Sequence, residues 1–178
     1  MRYRAKALNF GVLYGMGARG FAQSAKISTE EAQQFIDQYF VRFPKIASYI
    51  EQTKEFVKEK GYAETLFGRK RYLPDIHSFT PQIRAGAERA AVNFPIQGSS
   101  ADIMKMAMVK VFEECESAGC RMLLQIHDEL LFEVADDIVK ERALKIRKIM
   151  EEVVALTVLL PVQVKTGLSW KERTPLPL

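Results

Sequence analysis

The chain has 178 residues, of which 48% are hydrophobic and 27% charged, proportions typical of a folded globular protein rather than a disordered one. Residues 1–90 contain fifteen Lys and Arg against nine Asp and Glu, whereas residues 91–178 contain eleven against thirteen. A basic first half suits a polyanionic partner, with an uneven solvated surface as the alternative. The apolar run at residues 155–161 is too short to cross a bilayer, so no membrane partner is expected.

Helical periodicity dominates the first third of the chain. It predicts four helices, over residues 2–15, 18–25, 28–41 and 46–60. Ser28 and Glu31 have the spacing of a capping box at the start of the third helix. Residues 61–75 then predict a β-hairpin with a basic tip at residues 68–72, which either lies in solvent or contacts phosphate.

The second half mixes helices with strands. It predicts a long helix, a hairpin, another helix and a final strand, over residues 80–117, 121–134, 137–156 and 161–170. Pro95 is expected to end or kink the long helix. The hairpin is expected to turn near Asp128. The predicted fold class is α+β, with helices first and then a small antiparallel sheet backed by helices.

One stripe of the first predicted helix carries two cations and two aromatic rings. Arg2, Lys6, Phe10 and Tyr14 recur every four residues, so their side chains follow one slanted line along the helix. Cations near a helix N-terminus oppose the helix dipole, and a bound phosphate would reverse that cost. The stripe indicates a site for a phosphate-bearing ligand with a base or sugar against the rings. A basic, partly buried amphipathic helix is the alternative.

A second polar series lies on the long helix. Arg89, Asn93 and Gln97 also recur every four residues, among small residues that allow close approach. Guanidinium and amide groups pair with sugars and base edges in a nucleic-acid groove. The series therefore predicts a nucleic-acid contact, whereas helix surface with a buried polar kink is the alternative.

The turn of the second hairpin places His127, Asp128 and Glu129 inside an apolar segment. Phosphoryl transfer by two metal ions needs carboxylates from more than one strand. Neighbouring strand residues point to opposite faces, so Glu129 is a doubtful second ligand beside Asp128. A solvated turn is the alternative, because Asp is common in turns.

These three segments, in this order, resemble the C-terminal part of a family A DNA polymerase, the DNA polymerase I group. Residues 2–15 match the fingers motif of that family, Arg-x₃-Lys-x₃-Phe-x₃-Tyr-Gly, at every specified position. Residues 88–103 resemble the segment that follows the fingers, and residues 125–134 resemble the His-Asp-Glu motif of the palm. The resemblance covers nearly the whole chain.

The resemblance implies a template-directed DNA polymerase that transfers a nucleotidyl group from a dNTP to the 3′-hydroxyl of a primer, using two magnesium ions. By position, it implies three sets of site residues. The nucleotide-binding set is Arg2, Lys6, Phe10 and Tyr14. The DNA-binding set, for the primer-template, is Gly15, Arg89, Asn93, Gln97 and His127. The catalytic set is Lys6, His127, Asp128 and Glu129, in which Asp128 is the magnesium ligand.

By position, the fingers subdomain would occupy residues 1–84, the C-terminal part of the palm residues 85–170, and an unstructured tail residues 171–178. The other catalytic aspartate of the family lies upstream of the fingers helix, and nothing in this sequence matches it. The chain is therefore interpreted as a truncated piece of a longer enzyme. We expect the 178 residues alone to be inactive and to self-associate through exposed sheet edges.

Two other function classes stay open on the residues alone. A non-catalytic nucleotide- or DNA-binding module would keep the basic stripe without turnover, and a metal-dependent nuclease would use Asp128. The two cysteines, Cys115 and Cys120, fit no metal or redox motif, which favours a reducing compartment. The expected location is the cytoplasm, in the bacterial nucleoid, with an organelle as the alternative.

Overall fold

The computed structural model describes residues 11–12, 15–115, 117 and 119–177. Its contacts divide the chain between Ser99 and Ser100 into two compact units. The described part of the chain combines helices with two-stranded antiparallel sheets, so the predicted α+β class is confirmed. The assignment of residues 1–84 to fingers and 85–170 to palm stays a prediction.

Among its described residues, the unit at residues 1–99 contains three helices, a hairpin and the first part of a fourth helix. These are α1 (Ala18–Ala25), α2 (Thr29–Arg42), α3 (Pro44–Lys60), β1 (Tyr62–Glu64), β2 (Lys70–Tyr72) and α4 (Pro81–Cys115). A short 3₁₀ helix, Pro74–His77, connects the hairpin to α4. The three described helices and the hairpin lie where the periodicity predicts them, whereas the helix predicted over residues 2–15 falls largely outside the described residues.

Local signals account for the helix ends in this unit. The Ser28 side chain accepts a hydrogen bond from the Glu31 amide at 3.1 Å, and the Glu31 carboxylate accepts one from the Ser28 amide at 2.9 Å. This confirms the predicted capping box, which satisfies amides that lack helical partners. α3 begins with Pro44, and its C-cap is Gly61, whose φ of 79° suits glycine.

Helix α4 continues through Pro95, so of the predicted end or kink the helix end is wrong, and the kink stays a prediction. Proline removes one helical hydrogen bond and crowds the preceding turn, which costs about 3 kcal/mol. Burial outweighs this cost, because Ala87, Ala91 and Val92 on the turns before Pro95 are 6%, 0% and 1% exposed. The Ser99 hydroxyl also donates a hydrogen bond to the Pro95 carbonyl.

Two apolar clusters form the core of the first unit. One joins the segment around Val12 to α1 and α2, through Val12, Phe21, Ala22, Ala25, Ala32 and Ile36. The other joins α3, the hairpin and α4, through Val57, Ala63, Leu73, Ile76, Ala87 and Ala91. The second cluster fixes the hairpin against the part of α4 that carries Arg89 and Asn93.

In the described part of the unit at residues 100–178 lie the rest of α4, a long hairpin, one further helix and a small C-terminal hairpin. The elements are β3 (Cys120–Ile126), β4 (Glu129–Val134), α5 (Val139–Glu152), β5 (Lys165–Thr166) and β6 (Thr174–Pro175). Val111, Cys115, Cys120, Ile146 and Ile149 form its core, with Met122, Phe132 and Val134 packed against it. The β3–β4 ribbon therefore rests on α4 and α5.

The C-terminal segment differs from the prediction. The strand expected over residues 161–170 is only two residues long, and it pairs with Thr174–Pro175 of the tail that was expected to be unstructured. The turn between them is tight, since a Cβ atom on Gly167 would lie 1.8 Å from the carbonyl oxygen of Glu172. A strand of two residues is too short to show an alternating pattern in the sequence, so this pairing could not be predicted.

Candidate functional site

The β3–β4 ribbon turns at His127 and Asp128, where the sequence predicted it. Ile126 pairs with Glu129, so the loop has two residues. His127 has a φ of 55°, a left-handed conformation that is uncommon for a residue other than glycine. The Gln125 side chain donates a hydrogen bond to the His127 carbonyl at 3.0 Å, which fixes this turn. Backbone strain held by the surrounding structure is typical of functional sites.

The two adjacent carboxylates have different surroundings. Asp128 lies in the turn and is exposed, whereas Glu129 opens β4. The Glu129 carboxylate lies 3.5 Å from the Arg173 guanidinium, which in turn lies 5.6 Å from the centre of the Trp170 ring. The tail therefore reaches the turn and neutralises one of its two charges. No local sequence pattern links the tail to this turn, so Arg173 could not be predicted as its partner.

A β-bulge in β3 changes which side chains face the core. Met122 pairs with Phe132 and Leu124 with Leu131, so Leu123 has no partner across the ribbon. Leu123 and Leu124 are 48% and 50% exposed. Among the described residues, β3 and β4 pair only with each other, so both outer edges of this ribbon and two leucines are uncovered.

Helix α4 carries the second group of candidates. Arg89 and Gln97 are exposed, and Asn93 is half-buried. The Asn93 side-chain oxygen is buried and has no hydrogen-bond partner within the described residues. An unpaired buried acceptor is costly, which suits a side chain that receives a hydrogen bond from a ligand.

The structure brings Gly15 and Arg89 together. Gly15 has a φ of 76°, and its amide donates to the Val12 carbonyl at 3.0 Å. A Cβ atom on Gly15 would lie 3.2 Å from Cγ of Arg89. Two of the predicted DNA-binding residues are therefore neighbours, which the sequence spacing alone did not indicate.

The nucleotide-binding candidates Arg2, Lys6, Phe10 and Tyr14 lie outside the described residues. Within the part of the chain that the structure describes, no group of three or more His, Cys, Asp and Glu side chains is arranged to hold a metal ion. In the same part of the chain, no helix is long and apolar enough to span a membrane.

Comparison with known proteins decides the family. The sequence pattern of DNA polymerase family A matches residues 1–172. The chain belongs to DNA polymerase family A. The resemblance seen in the sequence is thus confirmed, and Arg173 lies directly after the last matched residue.

Relatives of this family A chain include bacterial enzymes named DNA polymerase I. It is 49% identical over 170 residues to the thermostable DNA polymerase I of Thermus aquaticus, covering 96% of this chain and 20% of the relative. It is 46% identical over 173 residues to DNA polymerase I of Pseudomonas aeruginosa, covering 96% of this chain and 19% of the relative. The chain therefore spans about a fifth of the length of these relatives.

A solved structure is also similar to this chain. It is the POL domain of Pol1 from M. smegmatis in complex with a DNA primer-template and dNTP, with a TM-score of 0.83 and 44% identity. The similarity covers 89% of this chain and 28% of the solved one. A likeness of this size supports the α+β fold of the family A chain.

Proposed function

We propose that these 178 residues carry the fingers and the C-terminal part of the palm of a DNA-directed DNA polymerase. The observation that carries this proposal is the family A match across residues 1–172. The reaction is nucleotidyl transfer from a dNTP to the 3′-hydroxyl of a primer. The partners are primer-template DNA and dNTP, the same classes of molecule that are bound in the similar Pol1 structure.

The residues of the fingers motif supply the nucleotide site in this proposal. Arg2 and Lys6 hold the triphosphate, and their charge stabilises the phosphoryl group as it is transferred. Phe10 packs on the sugar and base, and Tyr14 stacks at the templating position. Gly15 lets the chain bend after this helix, and its left-handed φ and close contact with Arg89 support that role.

The second unit supplies only part of a magnesium site. Asp128 is exposed at the outside of a fixed turn and presents a carboxylate, the group that magnesium prefers. Glu129 is held by Arg173, so it is a secondary acidic group rather than an equal ligand. Magnesium, when bound, would stabilise charge on the phosphate oxygens. We propose that the 178 residues alone do not extend a primer, because Asp128 needs a further carboxylate from another strand.

Primer extension tests the proposal. The chain alone is compared with a chimera in which residues 1–172 replace the matching segment of the T. aquaticus relative. We expect extension by the chimera and none by the chain. Asp128→Asn in the chimera is expected to lower extension more than about 100-fold, since it removes a metal ligand.

Asp136→Asn is the matched control, because Asp136 is an exposed aspartate just beyond β4 and the substitution removes the same charge. Equal extension by the Asp128→Asn and Asp136→Asn chimeras would refute the assignment of Asp128. Extension by the chain alone, abolished by Asp128→Asn, would refute the proposal that a further carboxylate is required. An inactive chimera with intact DNA binding would favour a non-catalytic DNA-binding module.

A further inference from the structure

The β1–β2 hairpin has one face on the core and one face outward. Its register pairs Tyr62 with Tyr72, Ala63 with Arg71 and Glu64 with Lys70. Ala63 is 1% exposed, so its face of the ribbon lies on the core. Alternation along the strands therefore puts Tyr62, Glu64, Lys70 and Tyr72 on the outer face.

The outer face is a row of aromatic rings with a cation above it. The rings of Phe56 and Tyr62 lie 5.7 Å apart, and those of Tyr62 and Tyr72 lie 5.8 Å apart. The Lys70 ammonium lies 4.4 Å from the centre of the Tyr62 ring. Tyr72 is 72% exposed, so this ring is held from one side and open on the other. Exposed rings beside cations are how proteins stack the bases of single-stranded nucleic acids.

The charge of the hairpin is positive. Within the described residues, no carboxylate forms an ion pair with Lys70 or Arg71, and Arg71 lies 5.9 Å from the centre of the Phe94 ring. Glu64 is the acidic side chain of the hairpin and lies across from Lys70. The cations near the end of α3 are partly neutralised, since Lys54 and Lys58 share Glu88 and Lys60 pairs with Glu59. Lys70 therefore places a positive charge beside the aromatic row, where it can contact a phosphate.

A groove of about 380 Å³ adjoins the aromatic row. It shares Phe56 with the aromatic row and Glu64 with the outer face of the hairpin. Its full lining is Tyr49, Gln52, Thr53, Phe56, Ala63, Glu64 and Pro95. The volume is in the range of small-molecule sites. A ring edge, an amide and a carboxylate in one groove suit a nucleobase, which needs both apolar contact and hydrogen-bond partners.

The loop of the hairpin is fixed to the rest of the unit. The Thr65 hydroxyl accepts a hydrogen bond from the Arg69 amide at 3.1 Å, and the Ser99 hydroxyl accepts one from the Leu66 amide at 2.9 Å. The first bond fixes the loop internally, and the second attaches it to helix α4. A surface that is ordered before binding loses less entropy when a ligand docks.

We propose that the outer face of the β1–β2 hairpin and the adjoining groove bind single-stranded DNA. A base stacks on Tyr72, and Lys70 on the same face contacts the phosphates. The inference rests on the proposed function, because that function identifies the nucleic acid as DNA. The exposed rings favour a single strand, because the bases of a duplex are already stacked on each other.

Fluorescence anisotropy of the 178-residue chain with a labelled oligo(dT) of about 16 nucleotides tests the inference. Tyr72→Ala is expected to weaken binding at least about 5-fold, since one stacked base contributes about 1–3 kcal/mol. Lys70→Ala is expected to lower the slope of log K against log salt by about 0.7. Tyr72→Phe keeps the ring and should bind as the parent chain does. Lys45→Ala removes an exposed cation at the start of α3 and is the matched control.

Unchanged oligo(dT) binding in both Tyr72→Ala and Lys70→Ala would overturn the inference. Equal weakening by Lys45→Ala would also overturn it, because binding would then follow total charge only. A duplex of the same length that binds as tightly and depends on Tyr72 to the same degree would exclude the single-strand preference.

The primer-extension chimera separates this inference from the proposed function. An inactive chimera, together with oligo(dT) binding that depends on Tyr72, would refute the polymerase proposal and support the hairpin surface. An active chimera, together with oligo(dT) binding that does not change in the Tyr72 and Lys70 variants, would support the polymerase proposal and refute the hairpin surface.

Discussion

Replacing Gly98 with alanine probes the contact that joins the β1–β2 hairpin to helix α4. A Cβ atom on Gly98 would lie 2.6 Å from Cγ2 of Thr65 and 3.2 Å from the Phe94 ring. Carbon atoms pack best at about 3.5–4.0 Å. Thr65 cannot turn away freely, because its hydroxyl accepts hydrogen bonds from the Phe67 and Arg69 amides.

The magnitude is a balance of two effects. Overpacking a buried contact costs about 1–3 kcal/mol, whereas alanine is about 1 kcal/mol better than glycine inside a helix. We therefore expect Gly98→Ala to destabilise the first unit by about 1 kcal/mol. Thr65→Ser removes the clashing methyl and keeps the hydroxyl, at a cost of about 1 kcal/mol on its own.

The two substitutions together should cost about 1–2 kcal/mol less than the sum of the single changes. Urea unfolding followed by far-UV circular dichroism measures the free energies. Trp170, the single tryptophan, reports on the second unit and should keep its transition. A Gly98→Ala chain as stable as the parent, or strictly additive substitutions, would show that the contact is not tight.

Three further outcomes are expected. The Val162 amide and, secondarily, Arg147 lower the pKa of Glu151 below its usual 4.5, so this carboxylate stabilises the fold above about pH 4.5 and loses the effect as pH falls through its folded pKa. Denaturant titrations at about pH 6 and pH 3 should therefore show that the free energy of unfolding falls less on acidification for Glu151→Gln than for the parent chain. An equal fall in both chains would contradict this. Gly167→Ala should open the β5–β6 turn and raise acrylamide quenching of Trp170, whereas unchanged quenching would mean that the turn adapts. The chain should self-associate through the β3–β4 ribbon, and Leu124→Lys should shift it toward the monomer in light scattering; unaltered association would place the interface elsewhere.

The features that sequence predicts best here are set by neighbouring residues. Ser28 and Glu31 satisfy each other's amides within one turn, so their spacing is sufficient to locate the start of α2. Asp128 lies at a two-residue turn between apolar runs, a pattern that is typical of a β-hairpin. The family motifs are equally local, so they indicated the family before the comparison with known proteins confirmed it.

The features that sequence misses depend on distant contacts. Pro95 favours a helix end, and only the burial of the turns before it explains why α4 continues. Arg173 meets Glu129 across more than forty residues, and the short pairing of the tail carries no periodicity. The unpaired side-chain oxygen of Asn93 and the close approach of Gly15 to Arg89 likewise depend on the three-dimensional fold.

The pairing of β6 with β5 has a practical consequence for anyone who produces this protein. An affinity tag fused after the tail would extend from a strand that lies next to Arg173, whose guanidinium contacts Glu129 beside Asp128. A tag before residue 1 would adjoin Arg2 and Lys6 instead. Either tag would lie next to candidate site residues. A cleavable tag is therefore the safer choice, and it should be removed before any activity or binding is measured.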